Sequence, residues 1–145
     1  MIFSTFVLSL TLAANESRLR ELSDSGLAYS RINVYALVPD ALYMNATTID
    51  SVKREAAVRI ASQERAYISE FLASTRLESM RPCDAAAASR IHLDKVLLMV
   101  ELEKDGVIET FASDGAFVFS KDMTKCTRDG GALVRRFDFR DPRQR

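Results

Sequence analysis

Histidine occurs once in this chain, at His92, and cysteine only twice, at Cys83 and Cys126. A lone histidine rules out an HExxH pair, and a zinc site would have to gather two thiolates, His92 and a carboxylate from scattered places. The cysteines stand too far apart for a CxxC redox motif. Net charge is missing as well: 20 basic residues balance 20 acidic ones, so no global field draws the chain to nucleic acid or to an anionic membrane. G-x-S-x-G elbows and glycine-rich phosphate loops are absent too, which removes common signatures of serine hydrolases and nucleotide-binding proteins. No cofactor and no metal is expected.

No apolar run reaches the length of about 20 residues that a membrane-spanning helix needs. The one at the N-terminus, with Ile2, Phe3, Phe6, Val7, Leu8, Leu10, Leu12 and Ala13, carries no charged side chain. It has two readings. Thr11-Leu12-Ala13 offers small residues for a signal peptidase, which makes residues 1–13 a signal peptide and residues 14–145 the mature chain. Against this, no Lys or Arg precedes the run, and with period two Ile2, Ser4, Phe6, Leu8, Leu10 and Leu12 share one face of a half-buried strand. The signal is preferred, so the expected location is periplasmic or secreted, with no stable membrane insertion after cleavage.

The 145 residues, 48% of them hydrophobic, suffice for one domain with a real core. In an oxidising compartment Cys83 and Cys126 pair, and closing their loop of about 43 residues contributes about 4 kcal/mol in the chain-entropy model. The alternative is two unconnected thiols in a cytoplasmic protein. Asn15-Glu16-Ser17 and Asn45-Ala46-Thr47 are glycosylation sequons, which matter only in a eukaryotic secretory pathway.

Asn15 caps a short helix to about Ser25, with Gly26 as its stop. Arg31 to Val38 alternates Ile32, Val34, Ala36 and Val38 against Asn33, Tyr35 and Leu37, which predicts a strand ended by Pro39-Asp40. From Thr48 to about Thr75, Ile49, Val52, Ala56, Ile60, Tyr67 and Phe71 recur at helical spacing, with Thr47 and Asp50 in a capping-box arrangement. Arg81-Pro82 ends that long helix, and Asp84 opens a helical turn over Ala85 to Ala88. Four strands follow: Leu93 to Glu103, Val107 to Ala112, Ala116 to Lys121 and Leu133 to Arg140, separated by Lys104-Asp105-Gly106, Asp114-Gly115 and Asp129-Gly130-Gly131. Arg135, Arg136, Arg140, Arg143 and Arg145 read as a solvated strand face and a frayed end.

The fold class is therefore α+β: one long helix packed on a curved four- to five-stranded antiparallel sheet, with a short N-terminal helix. A strand and a helix ahead of a four-stranded meander resemble the cystatin-like architecture over roughly Arg31 to Phe139. The resemblance lies in element order alone. Lys104-Asp105-Gly106 stands where cystatins carry Gln-x-Val-x-Gly, and no Trp is present for the second hairpin. Cystatin activity is not implied.

His92 and Asp94 share a strand face in this reading, as a base and its orienting carboxylate would, although a solvated histidine beside a surface acid explains them as well. Ser89 and Ser120 have no motif around them. Glu101, Glu103 and Glu109 meet across the first hairpin, where paired acids can hydrolyse glycosides and more often keep a sheet face wet. Leu97 and Met99 fall on the strand face of Lys95 and Glu101, so either an internal element or a partner must cover them. Phe117 and Phe119 raise the same question. Two functions follow: an exported protein-binding module of inhibitor or immunity type, whose partner is another protein or a second copy, acting through Leu97, Met99, Lys95 and Glu101 or the hairpin turns; or a small enzyme or ligand-binding module with His92, Asp94, Tyr35 or Tyr67 in a pocket between sheet and helix.

Overall fold

A computed structural model of the chain describes residues 29–38, 45–128, 133, 134 and 136. The expected signal at residues 1–13, the helix at residues 15–25 and the pair Phe137 and Phe139 lie outside them. β1 (Arg31–Ala36) forms where the alternation placed it, with Ile32, Val34 and Ala36 buried. It lies inside the sheet, between β2 (Val58–Ser62) and β3 (Leu98–Lys104). β4 (Val107–Ser113), β5 (Val118–Ser120) and β6 (Cys126–Thr127) continue a six-stranded sheet in which every neighbour pair is antiparallel. The fold is α+β.

The long helix does not form. Residues 48–75 divide into α1 (Ile49–Glu55), the strand β2 and α2 (Arg65–Thr75). Ala56 leaves helical geometry at φ −56° and ψ 127°, and the β-branched Val58 and Ile60 then alternate, half-buried, with exposed Arg59 and Ala61. Pairing with β1 outweighs a helical preference that is weak for such residues. α1 also starts one residue later than expected: Thr48 Oγ1 accepts from the Ser51 N–H at 3.2 Å and Ser51 Oγ accepts from the Thr48 N–H at 2.7 Å. Thr47 is buried instead, donating to the Asp94 carbonyl and accepting from Val96 N–H.

The helical turn α3 (Ala85–Ala88) stands as expected, with Asp84 Oδ1 accepting from Ala87 N–H at 2.7 Å. β3 begins five residues later than expected because Leu93 and Asp94 lie in a turn. The β3–β4 hairpin has its two-residue turn at Asp105 (φ 51°) and Gly106 (φ 77°), the positive-φ pair that matches strand twist. β6 was not foreseen. In place of the expected strand from Leu133, Leu133 and Val134 are helical and Leu133 is buried in the core. Two strands precede α2, so the order differs from a cystatin-like one.

Both sheet faces are covered. On one, Ile32, Val34, Val100, Leu102 and Phe111 pack with Ile68, Phe71 and Leu72 of α2. On the other, Met99, Ala112 and Phe119 pack with Val52 of α1, Leu37, Val96 and Phe117. This explains why Leu98, Met99 and Val100 are all buried in succession, as a strand covered on both sides requires. Cys83 and Cys126 form a disulfide with a Cα–Cα distance of 4.8 Å. It fastens the segment after α2 to β6, beside hydrogen bonds from Cys83 N–H to the Thr124 carbonyl and from Cys126 N–H to the Arg81 carbonyl.

Candidate functional site

Met99 is 3% exposed, so the face expected to await a partner is already closed there. Among the described residues the cover is α1 and the loops around it. Leu97 is half-buried, and its Cδ1 methyl lies 3.3 Å from where a Cβ on Gly115 would stand. The Asp114–Gly115 turn therefore caps it. Glu101 Oε1 is buried and faces Lys53 Nζ of α1 at 3.3 Å, an ion pair without good hydrogen-bond geometry. Lys53 also lies 5.6 Å from the Tyr35 ring centroid, and Arg59 lies 5.8 Å from it. Of the four residues expected to bind a partner, only Lys95 is exposed.

His92 and Asp94 are both exposed, but the carboxylate that meets His92 is another one. Asp114 Oδ2 accepts from the His92 backbone N–H at 3.0 Å, while its Oδ1 accepts from the N–H groups of Ala116 and Phe117. Asp114 is thus a turn fastener, and the imidazole makes no hydrogen bond among the described residues. Ser89 Oγ donates to the Ala86 carbonyl. Ser120 Oγ donates to Asp122 Oδ1 at 2.7 Å and accepts from Lys125 N–H at 3.0 Å. With Thr124 donating through both its hydroxyl and its N–H, these bonds hold the Asp122 carboxyl down at about 2. The result is a satisfied loop, in which the carboxylate that accepts from the serine is held too weakly basic to activate it.

The three acids of the first hairpin separate. Register pairs Glu101 with Thr110, Glu103 with Ile108 and Glu109 with Leu102, so Glu109 points to the opposite face from the other two. There Tyr29 Oη donates to Glu109 Oε2 at 3.2 Å. Burial, the charge of Glu109, its hydrogen bond and then Glu78 push the Tyr29 phenol up to about 12. Burial also raises Tyr67, with Arg136 opposing and Glu70 assisting.

Glu109 borders two clefts. One, of about 740 Å³, runs from Ile108 along β4 to Lys121, Asp122 and Lys125; the other, of about 160 Å³, is lined by Tyr29, Glu78 and Lys125 among others. A third, of about 390 Å³, lies beside the disulfide with Arg81, Arg90 and Arg128 on its walls. None of these three is lined by His92, Asp94, Tyr35 or Tyr67.

The most exposed large apolar side chains among the described residues are Val107 at 64% and Ile108 at 55%. They follow the hairpin turn directly. Their adjacency was the available signal, because two successive strand residues point to opposite faces and the tip has no cover on either. Arg81, Arg90 and Arg128 gave no such signal, since only the tertiary fold brings them together. No family model, curated protein or solved structure matches this chain.

Proposed function

We propose that this chain is an exported protein-binding module of inhibitor or immunity type, and that its contact element is the β3–β4 hairpin tip. The observation that carries this reading is the exposure of Val107 and Ile108 at 64% and 55% on a turn whose backbone is pinned by Asp105 and Gly106. An apolar tip on a pinned hairpin loses little freedom when it enters a pocket on a partner, and Glu103, Lys104 and Glu109 around it supply a polar rim. Export rests on the residues 1–13 pattern, and the internal disulfide is consistent with an oxidising compartment. Among the described residues no helix is long and apolar enough to cross a membrane.

The test is recovery of the chain, with any partner, from the extracytoplasmic fraction of its native host. N-terminal sequencing is expected to begin near Ala14, and a complex retained by the wild-type chain is expected to be lost on Val107→Asp with Ile108→Asp at unchanged melting temperature. A retained Met1 on cytoplasmic protein, or a complex indifferent to both aspartates, refutes the proposal. Loss of biological activity in His92→Ala with an intact fold would put the pocket-based enzyme in its place.

A further inference from the structure

We infer that the cleft beside the disulfide is a docking site for an acidic segment of a partner protein. Arg81, Arg90 and Arg128 line it, against the single carboxylate of Asp84. Asp84 Oδ1 is engaged with the Ala87 N–H, and the only ion pair among the described residues is Lys53–Glu101, elsewhere in the fold. In a chain of zero net charge this is a local excess of unneutralised guanidinium groups, each able to take a carboxylate in bidentate fashion.

The three arginines project from anchored backbone. The Arg81 carbonyl accepts from Cys126 N–H at 3.1 Å, next to the disulfide. Arg90 N–H donates to the Ala87 carbonyl at 3.0 Å, and the Arg128 guanidinium lies 5.9 Å from the Phe117 ring centroid. Such anchoring lowers the ordering cost of binding. The volume of about 390 Å³ is that of a site for an extended ligand and exceeds what one oxyanion fills. Nucleic acid fits poorly, because Phe117 is 6% exposed with Arg128 over its ring, leaving no aromatic platform for a base. An extended peptide with carboxylates spaced along it matches guanidinium groups carried by three separate segments. This site is independent of the hairpin tip.

The experiment is fluorescence anisotropy of the full chain with a short labelled poly-glutamate peptide. A poly-glutamine peptide of equal length, oligothymidylate of matched charge and inorganic phosphate are run beside it. Saturable binding of poly-glutamate alone is expected, weakening as salt is raised and falling by about tenfold or more in Arg81→Gln, Arg90→Gln, Arg128→Gln combined. Arg90→Gln alone, in an exposed turn, gives a smaller loss and keeps the test readable if the triple variant unfolds. The inference is overturned if the arginine variants bind poly-glutamate as the wild type does. It is equally overturned if oligothymidylate binds as tightly through the same arginines, or if phosphate alone displaces the peptide fully. Val107→Ser with Ile108→Ser is expected to leave peptide affinity unchanged, so a failure here does not bear on the hairpin and the converse also holds.

Discussion

Tyr29 and Glu109 stand 80 positions apart and meet only because β1 and β4 flank β3. Their contact gives the molecule a measurable titration. With Tyr29 raised to about 12, burial first and Glu109 next among the causes, the phenol stays protonated when free tyrosine has already ionised. The folded value lies above the unfolded one, so this contact adds stability below pH about 10 and loses it as pH rises through about 12. In an ultraviolet difference titration, Glu109→Gln is expected to move this phenol down towards 10 without reaching it, because burial remains. An unchanged midpoint would mean that the carboxylate does not act on Tyr29.

At the scale of elements, α2 is held by what it buries. Phe71 is 0% exposed and stacks with Tyr67 at 6.3 Å between ring centroids. Arg136 lies over the Phe71 ring at 5.2 Å and donates to Ser74 Oγ, so it covers α2 and is no part of a solvated strand face. Phe71→Ala is expected to destabilise the fold by about 3 to 5 kcal/mol, through lost burial and a residual cavity. Arg59→Ala, on the exposed side of β2, removes a surface contact with Tyr35 and is expected to cost less than about 1 kcal/mol. Denaturant unfolding of the two variants checks the ranking. The Phe71 stripe of α2 was legible because its helical spacing survives in an isolated reading. The break after Glu55 was not, since Ala56 and Ala57 permit a helix and the ladder to β1 that overrides it is invisible from local residues.

For the whole molecule, the disulfide closes a loop of 43 residues that contains α3, β3, β4 and β5. Reduction is expected to remove about 4 kcal/mol and to lower the melting temperature by about 10 °C. Calorimetry with and without reductant, alongside thiol titration of freshly isolated protein, measures both. Two titratable thiols in native protein, or equal melting temperatures, would contradict a structural role. Part of the attachment should survive reduction, because the backbone bonds joining Cys83 to Thr124 and Cys126 to Arg81 remain.

By itself the sequence determined β1, the α3 turn and the β3–β4 hairpin, whereas it left Cys83 and Cys126 between a bridge and two separate thiols until the fold brought their Cα atoms to 4.8 Å. Each of the three elements depends on local periodicity, on a capping side chain or on a turn whose φ values select glycine. Tertiary structure alone decided that neither face of the sheet is left open at the start of β3. Period two shows that Leu98 and Met99 point oppositely, but it does not show that α1 and α2 lie on opposite faces and bury both residues. The same holds for function. Of the residues singled out by their neighbours in the chain, His92 and Asp94 are exposed and line none of the three clefts, while Met99 is buried and Leu97 is half-buried. Arg81, Arg90 and Arg128, by contrast, share one groove. Proximity of that kind comes from strand order and a cross-link, and neither is written into any short stretch of residues.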